Sequence, residues 1–258
     1  MSGSYPFIDI AALDAVREGF AKGDAQLVIS RDLTTVIWAN GAGSVLFGHS
    51  HINDFISRPF DLPVSARRQI AVFSEAQNNR PRTLAVRLGG GVRSELTHLT
   101  IAELTLPDGV SALLLSVSRK NIQFKDIIEG LADDATHVAL LDRQANILAA
   151  SPLFDKLNIA TSTLEDLMIE AGDAENRVVK RRIRTGTHAV PGALARMSDE
   201  LALCLLSVVG DASHSATRSE VSNNDLKKEP FSTEVEPSPE RQTTAREFAF
   251  DPQGEPAR

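Results

Sequence analysis

The sequence predicts an α+β protein with two similar modules, each an antiparallel sheet flanked by short helices, followed by a disordered C-terminal tail. Three observations predict this fold class. Strand and helix patterns occur twice in the same order, the second set begins about 110 residues after the first, and large apolar residues become rare after Gly210. A chain of 258 residues with 42% hydrophobic residues can bury cores of ordinary size.

The first module is predicted over residues 21–119, after an N-terminal helix within residues 1–20. That helix follows from apolar residues at helical spacing, namely Ile10, Leu13, Val16 and Phe20. Two apolar runs around Arg31-Asp32-Leu33 predict a hairpin. We expect strands at 26–30 and 34–39, helices at 40–48 and 63–76, and strands at 83–88, 95–106 and 110–117. Gly89-Gly90-Gly91 precedes a strand, which favours a hairpin loop over a phosphate loop.

A connecting helix is predicted over residues 120–134. Its apolar stripe is spaced at i, i+3, i+4 and i+7 and contains Phe124, Ile127, Ile128 and Leu131. Such a stripe either packs within its own chain or pairs with a second copy. The four residues are therefore the candidate dimer interface.

The second module, residues 135–210, repeats the pattern of the first. Residues 27–32 align with residues 138–143, and residues 36–40 align with residues 147–151. We expect strands at 137–141 and 145–150, a short helix at 151–157, helical segments to about residue 184, and strands at 188–189, 193–197 and 201–209.

Residues 211–258 are predicted to be a disordered linker. Five prolines and six large apolar residues in this segment cannot offset its ordering entropy. Alternating aromatic residues return at Phe248 and Phe250. We therefore expect the chain to be the N-terminal region of a longer protein.

Composition excludes several classes of protein. A net charge of −7 argues against a nucleic-acid-binding surface. Because the chain has a single cysteine, Cys204, it has no internal disulfide framework. We expect Cys204 to be a small buried hydrophobic residue. No apolar run reaches the length of a membrane span and no secretory signal begins the chain, so we expect a cytoplasmic protein.

The order of two strands, short helices and three antiparallel strands resembles a PAS domain. In the first module Asp32 resembles the turn aspartate, Trp38-Ala39-Asn40 the strand end with its helix cap, and Leu46-Phe47-Gly48 the end of that helix. The second module resembles the family more weakly, through Asp142, Ile147 and the run from Ser151 to Phe154. The resemblance covers residues 9–210. It implies two tandem PAS-like domains, the second divergent.

The sequence as a whole resembles the start of alphaproteobacterial cell-division sensor histidine kinases of the DivJ and PleC type. The resemblance implies a homodimer at a cell pole, a kinase half that uses ATP with Mg²⁺, and phosphate exchange with a DivK-type response regulator. None of the six histidines has the context of a phospho-accepting histidine, and no ATP-binding motif is present. The catalytic activity therefore belongs to a longer parent chain, and no catalytic residue is assigned here.

The candidate site residues fall into two further groups. Trp38, Asn40 and Asp32 are the candidate pocket or signalling residues, with a core role for Trp38 and a turn role for Asp32 as the alternatives. The candidate docking patch for an acidic partner or nucleotide is basic: Arg177, Lys180, Arg181, Arg182 and Arg184. A solvated helix face, with Val179 and Ile183 as the buried stripe of the same helix, is its alternative. His49 and His51 lack the spacing of a metal pair, and we expect no cofactor or metal.

These observations predict a regulatory input region that dimerises, binds a partner and controls a downstream kinase. The alternative is a stand-alone PAS-type small-ligand sensor or adaptor. An independent enzyme has no supporting motif, since the sequence contains neither a nucleophile elbow nor a Ser-His-Asp order.

Overall fold

The computed structural model describes residues 6–56, 60, 62–75, 80–88, 95–186 and 188–210. The described chain contains two antiparallel five-stranded sheets, and both belong to one compact unit, Met1–Ser219. The predicted tail, residues 211–258, and the glycine loop, residues 89–91, lie outside the described residues. The predicted α+β fold class is confirmed.

The first sheet has the strand order β2-β1-β5-β4-β3. Its strands are β1 (Ala25–Ser30), β2 (Val36–Ala39), β3 (Arg82–Leu88), β4 (Glu95–Thr105) and β5 (Ser111–Val117). Between β2 and β3 the chain forms helix α3 (Gly41–Leu46), a 3-10 turn (Ile52–Asp54) and helix α4 (Val64–Glu75). These elements follow the predicted order.

The predicted N-terminal helix is two helices, α1 (Phe7–Ala11) and α2 (Asp14–Ala21). The break falls at Leu13, whose backbone is extended with φ −60° and ψ 139°. A continuous helix could not point both apolar faces inward. With the break, Ile8 and Ile10 of α1 and Val16 and Phe20 of α2 are all buried.

The second sheet has the strand order β7-β6-β10-β9-β8, which is the order of the first sheet. Its strands are β6 (Thr136–Leu141), β7 (Ile147–Ala150), β8 (Val178–Thr185), β9 (His188–Arg196) and β10 (Cys204–Val209). A 3-10 turn (Phe154–Leu157) and helix α6 (Thr161–Asp173) precede β8. The shared strand order confirms the internal repeat.

The register of the repeat differs by one residue from the sequence alignment. Asn40 Oδ1 accepts a hydrogen bond from Gln26 N at 2.9 Å, and Ser151 Oγ accepts one from Val138 N at 3.1 Å. Val138 is therefore equivalent to Gln26, not to Leu27. The alignment failed because five residues lie between Ser30 and Val36, whereas four lie between Asp142 and Ile147.

The prediction of helix up to residue 184 is wrong. Helix α6 ends at Asp173, and residues Val178–Thr185 form the edge strand β8. The apolar pair Val179 and Ile183 misled the prediction because a separation of four places two side chains on one face of either a helix or a strand. The strands predicted at 188–189 and 193–197 are one continuous strand, β9. Its ladder with β10 begins at Gly192, so Pro191 lies beyond that pairing.

Three hydrophobic clusters hold the described chain together. One lies on the α4 side of the first sheet and includes Leu27, Ile29, Ile70 and Leu113. A second lies on the α6 side of the second sheet and includes Leu141, Leu167, Ile183 and Leu206. The third joins residues of both sheets through α1, α2 and the connecting segment.

Candidate functional site

The cluster that joins the two sheets is the candidate functional site, and we call it the junction. Helices α1 and α2 contribute Ile8, Ile10, Ala11, Val16 and Phe20. The first sheet contributes Val28, Trp38 and Leu114, and the second sheet contributes Val138, Leu140, Ala195 and Leu205. Side chains of both sheets therefore belong to one packed cluster.

Trp38 lies in the junction and is 1% exposed. Its ring stacks on Phe7 with 5.2 Å between ring centroids, and Phe20 approaches the same ring at 6.5 Å. Its Nε1 donates to the carbonyl oxygen of Phe7 at 3.0 Å. Phe7 and Phe20 occupy the space around this indole. Trp38 therefore packs against the N-terminal helices and is not part of the cluster on the α4 side of the first sheet.

Asn40 connects three elements at the edge of the junction. Its Oδ1 accepts from Gln26 N at 2.9 Å and from Gly43 N at 2.8 Å, so it caps α3 and extends the β1–β2 pairing. Its Nδ2 donates to Asp24 O at 2.7 Å. Burial raises the pKa of the Asp24 carboxyl above its usual value, against the hydrogen bond from Arg119 N.

Asp32 has a local role in the β1–β2 turn. The hydroxyls of Ser30 and Thr34 donate to its carboxylate, and these hydrogen bonds lower its pKa. Asp142 occupies the matching turn, where Asn146 and Gln144 donate to it and lower its pKa. Both aspartates act as the turn residues that the sequence predicts.

The connecting segment is shorter and more buried than predicted. Its helix, α5, spans only Phe124–Ile128, because Glu129 has an extended backbone. Ile127, Ile128 and Leu131 pack in the junction, whereas Phe124 is 45% exposed. Of the four predicted interface residues, three thus contact their own chain and one is available at the surface.

Helix α3 lies close against this connecting segment. A Cβ added to Gly41 would come within 1.6 Å of the Glu129 carbonyl oxygen. Only glycine at this position allows the approach. The Ile52 amide also donates to Gly130 O at 3.2 Å. Helix α3 and the 3-10 turn of the first module therefore contact the segment that leads into the second sheet.

The predicted basic patch is on and before strand β8, and the described ion pairs occupy much of it. Lys180 Nζ lies 2.6 Å from Asp9, and Arg181 lies 3.3 Å from Glu170. Arg177 lies 2.9 Å from Asp199. Arg182 donates to Ala189 O, and both Arg182 and Arg184 are exposed. The Lys180–Asp9 pair joins β8 to α1.

An ion-pair network joins α2 to the β9–β10 turn. Arg17, whose side chain is 12% exposed, pairs with Glu18 at 2.9 Å and with Asp199 at 3.5 Å. Asp199 also pairs with Arg196 at 2.9 Å. Burial opposes the ionisation of Asp199, but the hydrogen bond from Arg177 and the surrounding arginine charges outweigh it, so its pKa is below the usual value.

Sequence reasoning missed this network because its partners are far apart in the chain. Ser198 Oγ donates to Glu18 Oε2 at 3.0 Å across 180 positions. No local spacing could indicate such a pair. The only signal was the amphipathic pattern of the N-terminal residues, which shows a buried face without showing what it packs against.

The described residues show little that could hold a metal or cofactor. In the described ranges, no group of three or more His, Cys, Asp and Glu side chains could hold a metal ion. His49 stacks on Phe55 with 4.6 Å between ring centroids. Cys204 is buried, which raises its thiol pKa to about 11. None of the described helices has both the length and the apolar character needed to cross a membrane.

Solved structures that resemble this chain are remote in sequence. The periplasmic domain of Vibrio cholerae LuxQ is 14% identical, with 80% of this chain and 87% of that chain covered and a TM-score of 0.24. The sensor domain of the Vibrio cholerae histidine kinase DctB is 13% identical, with 79% and 78% covered and a TM-score of 0.25. No protein-family model matches the chain.

Curated relatives are much closer in sequence. The cell-division control histidine kinase PdhS of Brucella canis is 59% identical over 212 residues, which are 82% of this chain. PdhS of Brucella ovis gives the same identity over the same length. The match covers 20% of these relatives, so this chain spans about a fifth of their length. The kinase-family resemblance is therefore confirmed, and the chain is similar to the N-terminal region of PdhS.

Proposed function

We propose that this chain is the sensory input region of a cell-cycle histidine kinase and that the junction transmits its signal. The single observation that carries the proposal is the packing of both sheets on α1 and α2 in one hydrophobic cluster. Packed cores change between discrete arrangements and do not deform continuously. A shift of the first sheet against the N-terminal helices would therefore reposition the second sheet.

The identity to PdhS supports the kinase context of this proposal. The modules are PAS-like in our proposal, because the described chain has two strands, short helices and three antiparallel strands in each half. The proposed parent protein binds ATP with Mg²⁺, phosphorylates itself and exchanges phosphate with a DivK-type response regulator. A cytoplasmic location at a cell pole belongs to the same proposal.

The test is a chimera in which the matched residues of this chain replace their counterparts in Brucella PdhS. Autophosphorylation and phosphotransfer to the DivK-type receiver are measured for the chimera and for its Trp38→Phe variant. We expect the chimera to be active and the variant to change the rate several-fold while remaining folded. If both have equal rates, the junction does not transmit the signal and the proposal fails.

The exposed side chain Phe124 is the proposed centre of a homodimer contact. It leaves an aromatic ring at the surface next to the buried connecting segment. We expect Phe124→Glu to convert a dimer into a monomer in sedimentation experiments at high micromolar concentration. Exposed Val72→Glu on α4 is the matched control. A wild-type chain that stays monomeric throughout would remove dimerisation from the proposal.

The exposed arginines of β8 are the proposed docking site for an acidic surface of the receiver. Arg182 and Arg184 alternate along an edge strand, so their side chains share one face. We expect Arg182→Glu with Arg184→Glu to weaken binding of the DivK-type receiver, as measured by calorimetry. Arg68→Glu, exposed on α4, is the control. Equal weakening by both variants would indicate a general charge effect and no specific site.

A stand-alone ligand sensor or adaptor is the second candidate function. The observation that favours it is a cleft of about 610 Å³ beside α6 in the second sheet. Volumes of this size are typical of sites for small molecules.

A further inference from the structure

The cleft beside α6 lies where the turns of the second sheet meet the helix. The β6–β7 turn, the centre of α6 and the β9–β10 turn form its walls. Its volume is about 610 Å³, and its lining combines charged and apolar residues: Arg143, Gln144, Ala145, Glu165, Met168, Ile169, Arg196, Ala202 and Cys204.

Two large side chains of the first sheet have small equivalents at this cleft. Leu33 and Ala145 occupy the same turn position, and both have φ of 61°. Leu113 pairs with Ile29 in β1, whereas Cys204 pairs with the equivalent Leu141 in β6. Leu33 and Leu113 are buried in the core of the first sheet. Their replacement by Ala145 and Cys204 opens space in the second sheet.

The charges at the same place also differ between the two sheets. In the first sheet Arg31 pairs with Glu103 at 2.8 Å. Arg143 is equivalent to Arg31 by the shared hairpin register. Glu103 of β4 lies opposite Leu113 of β5. Arg196 of β9 lies opposite Cys204 of β10, and Cys204 is the residue equivalent to Leu113. The second sheet therefore carries two arginines where the first has an arginine and a carboxylate.

We propose that this cleft binds a small monocarboxylate with an apolar body. The ligand's carboxylate takes the place that Glu103 holds in the first sheet and accepts hydrogen bonds from Arg143 and Arg196. Guanidinium groups suit this role because their planar donors match carboxylate geometry. The apolar body of the ligand lies over Ala145 and Met168.

The acidic residue in the lining of the cleft, Glu165, limits which carboxylates can bind there. Glu165 on α6 is part of the lining, so a second negative charge on the ligand would be repelled. A monocarboxylate, with or without an amino group that could face Glu165, fits this charge pattern. A dicarboxylate does not.

The cleft is connected to the junction through Arg196. Its Nε pairs with Asp199, and Asp199 also pairs with Arg17 of α2. The terminal nitrogens of Arg196 are the proposed ligand contacts. Ligand binding would therefore reposition a side chain that also pairs with Asp199 in the ion-pair network. Ligand binding can be measured without the kinase. An absence of binding would leave the proposed kinase control untouched, and an absence of kinase control would leave the proposed binding site untouched.

The experiment is a binding measurement on the full 258-residue chain. The probes are propionate, butyrate, valerate, hexanoate and norvaline, with butyramide as the uncharged control and glutarate as the dicarboxylate. Calorimetry and thermal unfolding are both recorded, because a ligand that binds only the folded state raises the melting temperature. We expect a monocarboxylate to bind and butyramide and glutarate to bind at least about tenfold more weakly.

Two variants locate the site. Arg143→Gln removes one exposed charge and should weaken binding about tenfold or more. Ala145→Leu restores the side chain found at Leu33, at the same φ, and should abolish binding by filling the cleft. Arg68→Gln, exposed on α4, is the control that should bind normally. The proposal is overturned if no carboxylate binds at millimolar concentration, if butyramide binds equally well, or if Arg143→Gln binds as the wild type does.

Discussion

Replacing Trp38 with alanine is predicted to destabilise the chain more than any other single truncation at the junction. The indole is 1% exposed, and truncation of a buried tryptophan costs about 3–5 kcal/mol. Loss of the Nε1 donor also leaves the Phe7 carbonyl without its 3.0 Å hydrogen bond, which adds about 1 kcal/mol. We therefore expect a loss of about 4–6 kcal/mol.

The assay is urea unfolding followed by far-UV circular dichroism, which does not depend on the indole. Trp38→Phe keeps an aromatic ring against Phe7 but not the donor, so its loss should be about 1–2 kcal/mol. Val72→Ala is the surface control, since that side chain is 67% exposed on α4 and should cost much less. A loss for Trp38→Ala of less than about 1 kcal/mol, or of no more than that for Val72→Ala, would show that the indole does not stabilise the junction.

Three further predictions follow from other contacts. Asn40→Ala removes one helix cap and one strand contact, so it should lower the free energy of unfolding by about 2–3 kcal/mol. The measurement is urea titration. A loss as small as that at an exposed site would contradict the role of Asn40 as a cap and strand contact. Gly41→Ala would put a Cβ within 1.6 Å of Glu129 O, so we expect this variant to be mostly insoluble or to unfold at a much lower urea concentration. Gly109→Ala is the control, because a Cβ at Gly109 would have nothing within 4 Å and would cost only backbone strain. Asp199 has a lowered pKa in the folded state, so its contribution to stability is present above the unfolded pKa of about 3.9 and is lost as pH falls through the folded pKa. Asp199→Asn should therefore flatten the acid part of the stability profile, and an unchanged profile would show that the network adds nothing.

Much of the fold could be predicted because local patterns specify it. Strands β1, β2, β4 and β5 have apolar runs bounded by turn residues, and α3 begins at an asparagine that caps it as expected. The errors arose where one pattern fits two structures. Val179 and Ile183 share a face in a helix and in a strand, and only the pairing of β8 with β9 decides between them.

The junction was less predictable because distant contacts create it. Trp38 was expected in a core or lining a pocket, but nothing in its own sequence context shows that it packs on Phe7. The buried face of α2 was visible as a pattern, but the pattern does not show that the cluster it joins also contains Leu140 and Leu205 of the second sheet. The difference between Leu33 and Ala145 was also hidden, because it requires the hairpin register that the structure provides.

Packing in the junction is expected to make the two sheets unfold as one unit. The chain has one natural probe in each sheet, since Trp38 is its single tryptophan and Cys204 its single cysteine. Cys204 is 5% exposed and its thiol pKa is raised to about 11, so a thiol reagent modifies it slowly in the folded chain and much faster once the second sheet opens. The measurement is urea unfolding of the wild-type chain followed by Trp38 fluorescence and by Cys204 labelling. If the two sheets unfold as one unit, both probes change at the same urea concentration; two separate midpoints would show that the sheets unfold independently.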